Sequence, residues 1–392
     1  MCRQPKLKES DLAISVLLLR DIAEYQPTSM ERFADGLFTN LRADPRVTVR
    51  QTTIRPSALA FNRLGKKADE WLSSLVRYPR FARRQLADVY HIVDHAQGPL
   101  LGGLPAERTI VTCHDLMLLH AEFADVGFRG SRIALRRFKW ATSFLRRAAV
   151  VVCVSDATAR DASRFLNIDP ARIKIIPPGI SAAFGPIEHA RSSVRPLLEP
   201  SGQRPVVLQV SSGAPYKNSI GALRVIAELR SRGLSPVLVR VGRPLDKDEA
   251  HQASLLGLAD CVRELGRISD RDLASVYAAS DVLLFPSKWE GFGWPPVEAL
   301  ACGTPSVVAS ECHSVVATLG DACLVKPADD IRSMASAVEA LLSNPALRTQ
   351  LVERGRQVVR SLSWDRTADR YIEAYLEVAQ GWHRRQGAPG RT

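Results

Sequence analysis

Asp281-Val282-Leu283-Leu284-Phe285-Pro286 runs, through Ser287-Lys288-Trp289, into Glu290-Gly291-Phe292-Gly293-Trp294-Pro295-Pro296-Val297-Glu298. The first six residues form a short apolar run that reads as a buried strand. Pro295 and Pro296 suit the first turn of a helix, and Gly303 suits its end. The segment therefore reads strand, glycine-flanked loop, helix. Glu290 falls in the loop and Glu298 on the start of the helix. Both lie beyond the carboxyl end of a strand, where open α/β sheets bind ligands. A helix start in that position favours a diphosphate, through its dipole and its unpaired N–H groups. Carboxylates are strong acceptors for hydroxyl donors. Two carboxylates flanking an anion site fit a sugar nucleotide: one for the sugar ring, one for the ribose, the phosphates between them.

Working outward, short β-branched runs alternate with helical patterns, which predicts an α/β protein with parallel sheets. The first half gives strands near 13–19, 47–52, 89–93, 109–113, 150–154 and 173–176. The second gives 206–210, 237–241, 281–285, 306–309 and 323–325. Residues 184–204, rich in Pro, Ser and charge, read as a linker between two Rossmann-like halves. The 392 residues are enough for two full cores. The predicted organisation is a first domain over 1–183, the linker, a second domain over 205–362, a helix over 363–382 and a disordered basic tail over 383–392. Neither half carries G-x-G-x-x-G, which argues against a dinucleotide-dependent dehydrogenase.

The net charge of +12 is unevenly placed: residues 61–150 carry 15 Lys or Arg against 8 Asp or Glu. The basic stretches are Arg77 to Arg84 and Arg129 through Arg147, the latter with Ile133, Phe138, Trp140 and Phe144 among its arginines. Such a helix can lie on an anionic membrane surface, or dock on its own domain with a solvated outer face. No recognition motif accompanies the charge to suggest nucleic acid. No apolar run approaches the roughly 18 residues of a membrane span, and the start, Met1 to Asp11, does not read as a signal peptide. Cys113, Cys153, Cys302 and Cys323 sit in or beside apolar runs without C-x-x-C pairing. That pattern suggests reduced core thiols and a cytoplasmic location, with peripheral contact on the inner face of the membrane if the basic helix binds lipid.

Ser287 to Ser310, reading SKWEGFGWPPVEALACGTPSVVAS, resembles the retaining glycosyltransferases of family 4, which have the GT-B fold. Gly266-Arg267-Ile268, Gly320-Asp321-Ala322 and Pro177-Pro178-Gly179-Ile180 extend the resemblance, which thins before residue 105. It implies two Rossmann-like domains facing a central cleft, with a C-terminal helix crossing back to the first. It implies that Glu290 contacts the transferred sugar and Glu298 the ribose, beside Gly291, Phe292 and Gly293. Lys217 matches a lysine on the donor diphosphate, in a loop with Ser212 and Gly213. An arginine expected in that loop has no counterpart, and Arg243 or Arg267 could stand in. Gly266 to Ile268 falls where the family's loop meets the nucleobase. His114 ends a strand where some mannosyl-transferring relatives carry a histidine near the donor sugar. His91, Asp94 and His95 could line the acceptor side.

The expectation is a metal-independent retaining enzyme, without a cofactor, that moves a hexose from a GDP- or UDP-sugar to a glycan or lipid-linked acceptor. Mannose is the first choice. Asp246-Lys247-Asp248 and Asp270-Arg271-Asp272 spell D-x-D but sit where helices begin, so no metal site is assigned. A sugar-nucleotide epimerase or hydrolase on the same scaffold is the rival enzyme. A non-catalytic basic module for membrane or nucleic acid is the rival binding protein.

Overall fold

The computed structural model describes residues 13–23, 28–57, 63–120 and 132–387. The readings of Met1 to Asp11, of Arg129 and of the tail beyond 387 lie outside these residues. Twelve strands form two parallel six-stranded sheets. The first holds β1 (Ile14–Leu19), β2 (Val47–Thr52), β3 (Val89–Ile92), β4 (Thr109–Cys113), β5 (Val150–Cys153) and β6 (Ile173–Ile175), in the order β2-β1-β3-β4-β5-β6. The second holds β7 (Val206–Ser211), β8 (Val237–Gly242), β9 (Val262–Gly266), β10 (Val282–Phe285), β11 (Ser306–Ala309) and β12 (Leu324–Lys326), in the order β12-β11-β10-β7-β8-β9. The strand runs read from sequence are all present. β9 is the addition: Arg263 and Glu264 interrupt its apolar pattern, and it can carry exposed charge because it is an edge strand.

Helices cover both faces of each sheet, which is why the strands read as near-continuous apolar runs. Along β1, Leu17 and Leu19 enter one core while Val16 and Leu18 enter the other. Each such side chain, fully buried, contributes roughly 1.5–3 kcal/mol. Residues 184–204 contain two short helical turns, Ala190–Ser193 and Arg195–Leu198. Arg195 fastens the second to Asp281 at 2.8 Å, at the foot of β10.

The last helix, Trp364–Gly387, returns to the first sheet. Tyr371 and Tyr375 are fully buried there. Tyr371 Oη lies 2.7 Å from Thr112 Oγ1, and Tyr375 Oη lies 2.7 Å from His91 Nδ1. His91 therefore belongs to this packing and does not line an acceptor surface. Alternation along β3 turns it, with Val89, to the face that the last helix covers. The helix also runs past Trp382, so residues 383–387 are helical and not a loose tail. Trp382 is held beneath the Arg108 guanidinium at 4.9 Å. The helix begins where Trp364 packs on Gly36, at which a Cβ would come within 2.4 Å of the indole. Among the described residues, no helix is long and apolar enough to cross a membrane. The six described cysteines are buried and free.

Candidate active site

β7 pairs with β8 on one side and β10 on the other. The connections leaving β7 and β10 diverge, and a crevice opens between the carboxyl ends of these two strands. β7 feeds the loop from Ser212 to Lys217, and β10 feeds the loop that holds Glu290. Lys217 Nζ donates to Glu290 Oε1 at 2.5 Å across the crevice. Both side chains are nearly buried, 13% and 11% exposed, so the pair is shielded from competing water. Ser314 Oγ donates to the Glu290 carbonyl at 2.5 Å and fixes the loop. Gly213 has φ +74°, a conformation that favours glycine, and brings its carbonyl to Arg243. Arg243 Nη2 donates to Gly213 O at 3.1 Å and to Asp246 at 3.0 Å, while its buried Nε has no hydrogen-bond partner.

Glu298 lies on the helix Trp294–Ala301 and is 1% exposed. Burial raises its pKa, opposed by Arg32 and Tyr277. Tyr277 Oη donates to Glu298 Oε2 at 3.1 Å, and Arg32 Nη2 donates to Oε1 at 2.6 Å. Arg32 comes from the other domain, on the first helix, Thr28–Leu41. Its guanidinium lies between the Phe184 and Trp294 rings, at 5.1 and 5.0 Å, and reaches Asp270 at 3.4 Å.

The first sheet presents a matching end to the cleft. β1 lies between β2 and β3, and Asp21, Asp94, His95 and His114 gather at the carboxyl ends of β1, β3 and β4. Asp21 is pushed well up by burial and by the charge of Asp94, to which it donates a hydrogen bond; burial also raises Asp94. His114 Nε2 donates to Val93 O at 2.8 Å. Burial, then the neighbouring His95, lower the His114 pKa to about 4, so the ring is neutral near pH 7. The His114 carbonyl meets Gly291, where a Cβ would come within 2.0 Å of it. The two domains thus touch at the loop that carries Glu290.

Asp246, the first residue of one D-x-D, caps the following helix by accepting from Asp248 N and Glu249 N at 3.0 and 2.9 Å. Among the described residues, no group of three His, Cys, Asp or Glu is placed to hold a metal ion.

Residues 193–358 match the family model for glycosyl transferases group 1, and residues 37–184 match that for Glycosyltransferase Family 4. One match falls on each domain, and together they span most of the chain. The chain belongs to the family 4 glycosyltransferases.

Among curated relatives of this glycosyltransferase, the D-inositol 3-phosphate glycosyltransferase of Kineococcus radiotolerans is 32% identical over 264 residues, covering 62% of this chain and 60% of that protein. The O-antigen chain mannosyltransferase B of Escherichia coli is 26% identical, covering 69% of this chain and 70% of that protein. The MMP alpha-(1->4)-mannosyltransferase of Mycolicibacterium hassiacum is 29% identical, covering 59% and 54%. The chain thus spans between about half and 70% of the length of these relatives. Among solved structures, sucrose-phosphate synthase from Thermosynechococcus elongatus superposes with TM-score 0.74 at 19% identity, covering 94% of this chain and all, 100%, of that one. WaaG, a glycosyltransferase involved in lipopolysaccharide biosynthesis, gives 0.70 at 17%, covering 92% and 99%. These two likenesses concern the fold, and it is GT-B.

Within the glycosyltransferase, Lys217 and Glu290 meet across the crevice, Gly291 meets the His114 carbonyl of the first domain, and Gly293 is buried against Val315. Arg243 reaches the Gly213 loop, while Ser212 stands exposed on it. Arg267 is exposed just beyond β9, and Ile268 packs partly buried on the second domain's core. Phe292 is buried in that core. Arg32 and Tyr277, both on Glu298, were not singled out from sequence. Neither belongs to a local motif, and Arg32 lies 266 residues from the carboxylate it binds.

Proposed function

We propose that this glycosyltransferase is a retaining, metal-independent hexosyltransferase that uses a GDP- or UDP-sugar, with mannose the first choice. The observation that carries this reading is the Lys217–Glu290 pair at the β7/β10 crevice. It sets a cation for the donor diphosphate beside a carboxylate for the sugar hydroxyls. The Trp294 N–H and the positive end of its helix would add to Lys217 as the diphosphate leaves. Pro295 and Pro296 have no N–H, so this helix start acts more through its dipole than through a fan of donors. Arg243 is the nearer substitute for the missing loop arginine, because it already touches Gly213.

Glu290 would hold the sugar as positive character grows at the anomeric carbon, and Glu298 would hold the ribose. His114 donates from Nε2 to Val93 O, which leaves Nδ1 to accept from a sugar hydroxyl. The acceptor oxygen would attack from the face that the diphosphate leaves, and the leaving phosphate would take the acceptor's proton. Contact between the domains at Gly291 would exclude water and suppress donor hydrolysis.

The acceptor reads as a glycan or lipid-linked molecule, with peripheral membrane contact through the first domain. Leu75, Arg80, Arg83 and Trp140 line a groove of about 520 Å³ there, and Leu72, Leu86 and Ile133 are exposed. Apolar side chains ringed by arginine suit an anionic lipid surface.

The test is a panel of nucleotide sugars, read by thermal shift and by transfer to added acceptors. A cognate donor at about 100 times its Kd should add roughly 2.7 kcal/mol of stability. Its sugar should appear on an acceptor with the anomeric configuration kept, in the presence of a chelator. Free sugar or an altered donor, with no requirement for an acceptor, would favour the hydrolase or epimerase.

A further inference from the structure

Arg32 belongs to the first domain by sequence and to the second by its bonds. Its guanidinium donates to Glu298 at 2.6 Å, approaches Asp270 at 3.4 Å and lies between two aromatic rings. Glu298 is 1% exposed, and its second oxygen is taken by Tyr277. Arginine does not lose its proton in proteins, and its planar fork fits a carboxylate. The contact is therefore a charged tie between the domains, formed at a carboxylate that has no open side left. A ribose diol cannot reach Glu298 while Arg32 stands there.

We propose that Arg32 is a donor-gating latch: in the nucleotide-free protein it takes the place of the ribose at Glu298 and holds the cleft closed, and an arriving nucleotide must displace it. This rests on the reading of Glu298 as the ribose anchor. The latch has a clear physical purpose. A buried carboxylate without a partner is strongly destabilising, so Glu298 needs a cation whenever the ribose is absent. The exchange also selects the ligand. A nucleotide brings a vicinal diol that can replace the guanidinium as a hydrogen-bond donor, whereas inorganic phosphate or a sugar phosphate lacks the ribose. Tyr277 stays in place through the exchange: burial, then the Glu298 charge, push its pKa well up, so it remains a donor.

The test measures Kd for UDP and GDP by calorimetry, in ribose and 2′,3′-dideoxy forms, on the wild type, Arg32→Ala, Arg32→Lys and Glu298→Ala. Loss of one competing charge-assisted hydrogen bond should tighten nucleotide binding to Arg32→Ala by about tenfold or more. Arg32→Lys, which keeps the charge without the fork, should fall between it and the wild type. The nucleotide-free Arg32→Ala protein should also be more open by small-angle scattering. Unchanged or weaker nucleotide binding by folded Arg32→Ala overturns the latch. If that variant fails to fold, Arg32→Gln replaces it with the same two outcomes. The underlying reading is tested separately. The wild type should prefer the ribose form, and Glu298→Ala should erase that preference. A preference that survives in Glu298→Ala removes the ribose anchor, and the latch with it. Erased preference with no tightening in Arg32→Ala removes the latch alone.

Discussion

At the scale of single residues, Lys217 and Glu290 are worth most as a pair. Glu290→Gln keeps size but loses the charge proposed to meet the developing cation. It should lower turnover far more than donor affinity, and wild-type turnover in that variant would refute the role. Lys217→Ala should weaken nucleoside diphosphate by about tenfold or more, the worth of a charge-assisted contact, and leave the nucleoside unaffected. Titration calorimetry with both ligands decides it, and equal losses would point elsewhere. The buried histidines make a separate prediction about acid. Burial lowers His91 to about 3 and His114 to about 4. The unfolded chain takes up these protons near pH 6.5 and the folded one does not, so the stability that these histidines contribute is full above that pH and falls as pH drops towards 4, while the raised carboxyls of Asp21 and Asp94 act in the opposite sense. His114 alone should account for roughly 3 kcal/mol of that loss. Denaturant unfolding at pH 7 and pH 4.5 should show acid lowering the stability of His91→Gln less than that of the wild type. Glu290 and Lys217 were legible because each follows a buried strand, Lys217 after Ser212, Gly213 and Ala214 and Glu290 just before the Gly291-Phe292-Gly293 turn. His91 was misjudged because its neighbours in sequence do not reveal which face of β3 the last helix covers.

At the scale of elements, the loop from Ser287 to Gly293 joins the domains through Gly291. The clash a side chain would make there is with backbone, the His114 carbonyl, so it cannot be relieved by a rotamer change. Gly291→Ala should separate the domains at the site while leaving the second domain's fold intact. Nucleoside diphosphate should bind no more weakly, and transfer should fall by about a hundredfold, the usual consequence of a misplacement near 1 Å. A variant with normal transfer would show that this contact does not matter. Strand, loop and helix were readable here because the apolar period, the glycines and the prolines all agree. β9 was not, since an edge strand with exposed charge lacks a buried pattern. The Arg32 contact with Glu298 was not readable either, because the first helix shows its own apolar stripe and gives no sign of what its polar face reaches.

At the scale of the whole molecule, charge separates the domains more than architecture does. If the first domain meets a membrane, the protein should sediment with anionic vesicles at low salt and release as salt rises, since each interfacial cation contributes about 1 kcal/mol that ions screen. Neutralising Arg80, Arg83, Arg84 and Arg136 together should abolish sedimentation and preserve nucleotide binding. Arg137 is best left alone: it pairs with Glu70 at 2.8 Å and lies over Trp71 at 4.9 Å, so its loss would disturb packing as well as charge. No sedimentation at any ionic strength would assign these arginines to solvent. The two-domain plan was legible in the sequence because every strand but β9 begins in a recognisable apolar or β-branched pattern. The acceptor was not, because the resemblance thins in the half that would select it.

The return of the last helix to the first sheet also sets a timetable for synthesis. Val16, Leu18, Phe33 and Val89 form one core with Tyr371 and Tyr375. About 190 residues separate the end of β6 from Trp364, so at typical translation rates the first six strands wait about 10–40 s for the segment that covers them. Through that interval the nascent chain carries a partly uncovered apolar face, screened by the first helix alone. A ribosome that stops within the second domain releases a chain that can never bury it. Such products would leave that face exposed to chaperones and proteases.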